Sequence, residues 1–437
     1  MYKSLKDFIE FLESKGELIR IKEFTDPLLE ITEITDRVSK QPGGGKALLF
    51  ENTGTAYPVL TNMLGSKNRI LYALGATSFD EISESMRDLI KEVTRQRGTI
   101  QEKLKAIPLL GRAASWMPKA HKGVAPCQEV ILHQPDIGRL PVLKCWPQDG
   151  GAFITLPLVH TKDPVTGARN VGMYRMQVFS ENTTGMHWHR HKTGARQFSR
   201  CKEGKFPVAV ALGGDPVYTY AATAPLPEGI DEYMLAGFLR NKPVSLTDCL
   251  TQPLQVPADC DFVIEGYIDT KEAPVVEGPF GDHTGFYSLE DLYPKMHITC
   301  ISHKKDAIYP ATIVGIPPQE DKYIAMATES IFLTPIQFTM VPELKDLYLP
   351  EEGIGHNLAI VKIEKSYPGQ GIKVGHALWG AGQMMFCKTI IITDEDIDIR
   401  DIHQVEEVII RNYHPERDTH FSRGPMDVLD HTSPVCG

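Results

Sequence analysis

Apolar positions recur at helical spacing near the N-terminus. Leu5, Phe8, Ile9 and Leu12 form one stripe, Ser4 and Asp7 make a capping-box-like start, and Gly16 stands where a helix stops. Asp26-Pro27 is expected to open a second helix with Leu28, Ile31 and Val38 as its apolar side. Ala47-Leu48-Leu49-Phe50 is a short continuous apolar run, the pattern of a buried strand. A third helix is expected from about Ser78, with Ile82, Met86, Leu89, Ile90 and Val93 inward. Residues 1–95 therefore predict mixed α/β structure. The stretch from Arg97 to Cys127 is basic and broken by Gly and Pro, as expected of a linker or an arm between domains.

The pattern changes over residues 128–310, where short β-rich runs alternate with turns. Leu156 to Thr161, the turn Asp163-Pro-Val-Thr-Gly167 and Val171 to Phe179 predict a hairpin. Further strands are expected at Phe206–Leu212, Phe262–Ile268 and Met296–Ser302, which together suggest a β-barrel or sandwich. Residues 311–437 return to α/β alternation. Leu358–Ile363 and Thr389–Thr393 are candidate strands, and Val405, Val408, Ile409 and Tyr413 mark a helix. The expected fold class is α/β (α+β), divided into an N-terminal α/β domain over 1–115, a central β domain over 116–310 and a C-terminal α/β domain over 311–437.

Composition narrows the function. The 437 residues are 42% hydrophobic and 23% charged, which excludes a disordered or collagenous chain. With 46 basic and 56 acidic residues, the formal net charge of −10 disfavours a general nucleic-acid binder. The eight cysteines are Cys127, Cys145, Cys201, Cys249, Cys260, Cys300, Cys387 and Cys436; no CxxC pair occurs, so a zinc ribbon or a thioredoxin-type site is not expected. The N-terminus lacks a signal-peptide core, and no window offers about 18 apolar residues. The expected setting is a reducing cytoplasm.

Three constellations carry candidate chemistry. In Asn170-Val-Gly-Met-Tyr-Arg175, an unbroken strand would send Asn170 and Arg175 to opposite faces. An arginine flanked by Met173, Tyr174 and Met176 is partly desolvated and suited to a carboxylate or phosphate; the alternative is a strand arginine with its head in water. In Met186-His-Trp-His-Arg-His191, three alternate histidines would share one strand face, which suits a transition metal or is an ordinary solvated face. The most informative stretch is Glu277-Gly-Pro-Phe-Gly-Asp-His-Thr-Gly-Phe-Tyr287. Its glycines and proline fix a tight loop, and two carboxylates five apart stand beside an imidazole. Paired acids there would have separated pKa values, one a proton donor and one a charge partner. The alternative is a structural turn; calcium is disfavoured by only two carboxylates. Pro42-Gly-Gly-Gly45 lacks the Lys-Ser/Thr of a phosphate loop and is expected to be a turn. Thr393-Asp-Glu-Asp-Ile-Asp398 is expected to end a strand ahead of a helix capped near Asp401.

Taken in order, these segments resemble the UbiD family of prenylated-flavin-dependent decarboxylases. The likeness is carried by Cys145-Trp-Pro, Asn170-x-Gly-x-Tyr-Arg175, Met186-x-Trp, His191-x-x-Gly-Ala195, Ala211-Leu-Gly and Asp215-Pro. It continues through Thr223 before Pro225-Leu-Pro227, Glu232-Tyr, Ala236-Gly, Leu239-Arg240 and the Glu277–Tyr287 loop, and runs from the first helix to Ser433-Pro-Val. It looks closest to the branch acting on 3-polyprenyl-4-hydroxybenzoate in quinone (ubiquinone or menaquinone) biosynthesis.

The resemblance implies a central split β-barrel that holds prenylated FMN, and a non-oxidative, reversible carboxy-lyase acting on an aromatic acid such as 4-hydroxybenzoate. It implies Asn170, His191 and Glu232 as ligands of Mn2+ or Mg2+, with K+ as a further ion, and a metal bridge to the flavin phosphate. The backbone at Val171, Gly172, Met173, Tyr174 and Arg175, with His191, Ala222, Thr223 and Pro225, is implied to touch the flavin, and Lys388 its phosphate. Arg175, Glu277 and Asp282 match the catalytic trio, with Asp282 the proton donor whose pKa burial is expected to raise, and Glu277 ionised against Arg175. Implied partners are a flavin prenyltransferase that supplies the cofactor and further copies in a homodimer or homohexamer. A polyprenylated substrate would add peripheral contact with a membrane. Family members continue past the Ser-Pro-Val segment, so a fragment or a short member is expected here. Two rival readings remain at this point: a metal hydrolase or cupin-like oxygenase built on His187, His189 and His191, and a flavin-binding scaffold without activity.

Overall fold

The computed structural model describes residues 2–95, 107–202, 204–227, 229–394 and 396–432. The first helix, Leu5–Ser14, starts where the pattern places it: the Asp7 N–H donates to Ser4 Oγ at 3.1 Å, and Leu5, Phe8, Ile9 and Leu12 are buried. The N-terminal sheet runs Leu18–Phe24, Ala47–Asn52, Val59–Thr61, and takes a fourth strand, Tyr309–Pro310, from the chain leaving the central barrel. Arg69, fully buried, ties this unit together. It donates to Glu17 Oε2 at 2.8 Å and to the Gly45 carbonyl at 2.7 Å, which explains Pro42–Gly45 as a structural turn.

Two expectations need correction, and one helix is added to them. The second helix spans Glu30–Ser39, so Asp26-Pro27 stands before it and Leu28 is 52% exposed. A helix at Lys67–Leu74 was not expected; it is short, and its stripe is interrupted by the buried Arg69. The supposed linker from Arg97 to Cys127 contains a helix, Ile107–Trp116; residues 97–106 lie outside the described residues. The Ser78 helix is observed as Phe79–Thr94, with the Glu81 N–H donating to Ser78 Oγ.

The central sheet has nine strands among the described residues. Its main path runs Phe153–Ile154, Met176–Ser180, Thr183–Gly185, Lys295–His303, Phe262–Asp269, Lys205–Leu212, Leu158–Lys162 and Arg169–Met173. The hairpin over 158–173 turns at Asp163, whose Oδ1 accepts the Val165 and Thr166 N–H groups. The second and the eighth strands of that path are joined by Tyr174 and Arg175 alone. Three Cα steps reach at most about 11 Å. In a flat sheet, strands six places apart would be separated by about 29 Å. The sheet must therefore curl until its two ends approach, and Arg175 sits on the seam. This is the physical reason for the split barrel, and it places the Asn170–Arg175 segment where the barrel opens.

The C-terminal sheet, Leu344–Tyr348, Leu358–Ile363 and Thr389–Thr393, packs with the helices Gln370–Trp379 and Ile402–Asn412. Asp401 caps the latter, accepting from the Gln404 N–H at 3.2 Å. The long helix Glu320–Thr339 is bonded to the N-terminal unit, where Ser83 Oγ donates to the Ser330 carbonyl at 2.6 Å. Among the described residues no helix is long and apolar enough to cross a membrane.

Candidate active site

The strand that begins at Arg169 ends at Met173, and the next begins at Met176. The bend between them frees Arg175 from strand alternation and turns it onto both acids of the Glu277–Tyr287 loop. Arg175 is buried, 8% exposed at its side chain. Its Nε donates to Glu277 Oε1 at 2.9 Å and its Nη2 to Glu277 Oε2 at 3.0 Å. Nη1 donates to Asp282 Oδ2, and Nη2 also reaches Ser288 Oγ at 3.0 Å. The Phe280 ring lies 4.8 Å below the guanidinium carbon, within cation–π range.

The loop is held by its own backbone. The Gly278 N–H donates to Gln177 Oε1 at 2.8 Å, and the Gly281 N–H to Asp149 Oδ1 at 2.7 Å. The Ser288 N–H closes it onto the Phe280 carbonyl at 2.8 Å. Gly281 lies against Trp146, whose ring carbon Cδ1 would be 2.2 Å from an added Cβ. Trp146 is in turn fixed by its Nε1–H to the Val314 carbonyl. The Cys145-Trp-Pro segment thus serves the loop through packing.

Electrostatics separate the two acids less than the sequence suggested. Glu277 is fully buried, which pushes its carboxyl up, but bonds from His187 and Arg175 overrule this and hold it down at about 2. His187 Nδ1 donates to Glu277 Oε2 at 3.0 Å. Asp282 does not behave as expected. Burial pushes it up, yet the bonds and charge of His283, with Arg175, hold its carboxyl well below the ordinary range. Its Oδ1 accepts both the N–H and the Nδ1–H of His283 at 2.8 Å. Burial raising the pKa of Asp282 is therefore overturned for the resting site: two cations win over one desolvation penalty.

Beside this trio opens a cavity of about 570 Å³. Asn170, Val171, Gly172, Met173, Tyr174, Ala222, Thr223, Pro225, Glu232 and Asp282 all line it. The facing wall brings Asp321, Lys322, Thr328 and Gly355, and Lys192 and His283 also reach it. Val171 and Glu232 are tied directly, the Val171 N–H donating to Glu232 Oε2 at 3.0 Å. Burial pushes the Glu232 carboxyl up to about 7. A largely desolvated carboxylate next to Asn170 is a donor set suited to a hard cation, and a half-buried Lys192 in the same lining suits a phosphate. The walls fit a flavin that brings a phosphate tail and a cation with it.

Three expected flavin contacts, Arg175, His191 and Lys388, do not line the cavity. His191 is exposed and does not line the cavity; its ring lies 4.7 Å from that of Phe386. Lys388 is engaged elsewhere, its Nζ 2.9 Å from Asp430 Oδ2 and donating to Thr432 Oγ1 at 2.8 Å. The histidine run also departs from its reading. Residues 186–189 follow the strand Thr183–Gly185 as a loop, so no strand face gathers the three rings. His187 is bonded to Glu277, and His187 Nε2 lies 2.8 Å from His189 Nε2. The rings stand in series, centroids 4.8 Å apart for His187 and His189 and 5.6 Å for His189 and His191, but among the described residues no three His, Cys, Asp or Glu side chains come together as a metal group. Sequence reasoning missed Ser288, Lys192, Asp321 and the contact of His187 with Glu277. The last bridges 90 residues and had no local signal.

Family models cover most of the chain. Residues 9–89, 119–317 and 322–437 match the N-terminal, Rift-related and C-terminal domains of 3-octaprenyl-4-hydroxybenzoate carboxy-lyase. The chain belongs to the UbiD family. It is an enzyme of the carboxy-lyase type. An uncharacterized protein of Aquifex aeolicus (strain VF5) is 48% identical over 100% of this chain and 90% of its own length. One of Archaeoglobus fulgidus is 46% identical over 99% and 89%. Among solved structures, the vanillic acid decarboxylase of Sedimentibacter hydroxybenzoicus in closed form is 26% identical, with a TM-score of 0.85 over 99% of this chain and 90% of that one. The UbiD-class enzyme HmfF of Pelotomaculum thermopropionicum, in an evolved dimeric form in complex with prFMN, is 25% identical, with a TM-score of 0.79 over 96% and 92%.

Proposed function

We propose that this UbiD-family chain is a non-oxidative, reversible decarboxylase of an aromatic acid, such as 4-hydroxybenzoate or 3-polyprenyl-4-hydroxybenzoate, that works with prenylated FMN and a divalent metal, Mn2+ or Mg2+, in quinone biosynthesis. The observation that carries this reading is Arg175 bonded to both Glu277 and Asp282 beside the 570 Å³ cavity. The HmfF complex supports the flavin, and the family models support the hydroxybenzoate class.

Each residue then has a task. Asn170 and Glu232 are the proposed metal donors; His191, the third, stands outside the cavity and would have to turn from Phe386 to reach the ion, and Lys192 adds positive charge at the phosphate end. Val171 to Tyr174, with Ala222, Thr223 and Pro225, form the flavin wall. Lys388 holds the C-terminal segment through Asp430 and Thr432, and the flavin phosphate is proposed as its second contact. When bound, prenylated FMN supplies an electron sink for the pair that an aryl ring cannot hold alone. Glu277 occupies the fork of Arg175, so an entering carboxylate is oriented by the remaining nitrogen, Nη1. Glu277 stays ionised and fixes the guanidinium. Asp282 delivers a proton to the carbon that has lost CO2. We also assign the domain borders at 1–115, 116–310 and 311–437, a flavin prenyltransferase as supplier and self-association as dimer or hexamer.

The test is reconstitution with prenylated FMN and Mn2+, followed by a panel of aromatic acids. Flavin-dependent CO2 release from a hydroxybenzoate-type acid is expected. Protein that carries the cofactor and releases no CO2 from any ring-bound carboxylate overturns the reading.

A further inference from the structure

Asp282 is caught between two cations. Oδ2 accepts from Arg175, while Oδ1 accepts twice from His283 at 2.8 Å. Held this way the carboxylate is ionised at neutral pH and carries no proton to give. Yet loss of CO2 leaves an electron pair on a ring carbon, and that pair needs one. The two charged groups bonded to Asp282 are the nearest that could supply it. Arg175 never deprotonates in a protein. His283 does, and it lines the same cavity as Asp282.

On the decarboxylase reading above, we propose that His283 is a positioning residue that stores the reaction's proton on Nδ1 and passes it through Oδ1 of Asp282 to the substrate carbon. The Nδ1–H bond breaks as an Oδ1–H bond forms. That O–H then breaks as a C–H bond forms from the electron pair CO2 left behind. Neutral His283 takes a fresh proton from water, so each CO2 released consumes one solvent proton. An entering carboxylate that draws the charge of Arg175 to itself weakens its hold on Asp282 and lifts the affinity of Asp282 for that proton.

The surroundings of His283 keep it loaded. It faces Asp282, Asp321 and, 5.2 Å away ring to ring, His356, which is bonded to Asp427. Burial pushes its imidazole down, but the charges of Asp282, Asp321 and Asp427 overcome this and raise it to about 9.

The test has two arms. The first is an NMR titration of the histidine rings in the cofactor-free protein. His283 is expected to titrate near 9, and in D282N to fall by at least about one pH unit, the scale of a single lost charge partner. An ordinary value, unmoved by D282N, overturns the proposal. The second arm is H283N in reconstituted enzyme. Asparagine places an amide N–H where Nδ1–H was, so the bond to Asp282 survives, but it releases no proton. The expected result is a kcat lower on the order of 100-fold with KM unchanged, the low end of what general acid catalysis contributes. The wild type is expected to lose kcat as pH rises through about 9 and H283N is not, and added imidazole should partly rescue H283A. CO2 release at the wild-type rate in H283N sinks the relay alone. No CO2 release in the wild type sinks the decarboxylase reading, and the relay with it.

Discussion

Arg175 and Glu277 meet fork to fork, with Nε to Oε1 at 2.9 Å and Nη2 to Oε2 at 3.0 Å. Neither group touches bulk water to any extent: the side chains are 8% and 0% exposed. Charge-assisted bidentate pairs of this kind fix direction as well as energy. The remaining nitrogen, Nη1, is thereby aimed at Asp282. The site's geometry depends on this pair more than on either acid alone.

Glu277→Gln tests that dependence. The amide keeps the shape but loses the charge and one of the two acceptors. Turnover of the reconstituted enzyme should fall by at least about 100-fold, because Arg175 is no longer held for the transition state. The bound flavin's absorbance should persist, since Glu277 does not line the cavity. Stability should drop by about 3 kcal/mol, the lower end for a broken buried pair, because Asp282 and Ser288 still hold Arg175. Full activity in this variant would remove Glu277 from the mechanism.

The same carboxylate sets a pH signature. Its folded pKa, about 2, lies below its unfolded value of 4.5. The unfolded chain therefore binds the proton first as pH falls. The contribution of the pair is complete above the unfolded pKa and is lost as pH drops through the window between the two values. It amounts to about 3 kcal/mol. Thermal melts from pH 5 downward should show a steeper fall in Tm for the wild type than for Glu277→Gln. Parallel curves would mean that the pair is not formed in solution.

Much of the frame was legible because burial leaves a local trace. The strands Lys205–Leu212, Phe262–Asp269 and Lys295–His303 are continuous apolar or alternating runs between turn residues, and they fall within a residue of expectation. The first helix shows both its stripe and its cap. The bend at Tyr174-Arg175 left no such trace. It follows from sheet order, a property of pairings between distant segments, and strand periodicity argued for the opposite orientation. The same holds for the site: Glu277, Asp282 and His283 sit in one recognisable loop, whereas the bond of His187 to Glu277 and that of Lys388 to Asp430 join segments whose proximity only the fold creates.

Gly281→Ala probes how tightly the loop is set. An added Cβ would lie 2.2 Å from Cδ1 of Trp146, and that ring is pinned by its bond to Val314. Either the indole or the loop must move. Overpacking of this kind costs about 1–3 kcal/mol. Asp282 is the next residue, so the displacement falls on the proton-delivering carboxylate. The expected outcome is a lowered Tm and a loss of kcat exceeding that of KM. Gly424→Ala, where nothing lies within 4 Å, is the control and should match the wild type.

Lys388→Met separates two tasks that the sequence alone would merge. The structure holds Lys388 Nζ against Asp430 and Thr432, whereas family likeness gives it to the flavin phosphate. The lysine is 39% exposed at its side chain, so the ion pair is worth at most about 1 kcal/mol, and global stability should barely change. What should change is local: residues 427–432 lose an anchor, although His356 still holds Asp427 and the His431 ring still stacks on Phe286 at 3.7 Å. Hydrogen exchange in that segment should accelerate in the cofactor-free protein. If the lysine also meets the phosphate, flavin affinity falls as well, and high salt narrows the difference from wild type. Faster exchange with unchanged flavin affinity assigns Lys388 to the C-terminal segment alone. Weaker flavin binding without faster exchange assigns it to the cofactor, and then its bond to Asp430 must break when the site fills.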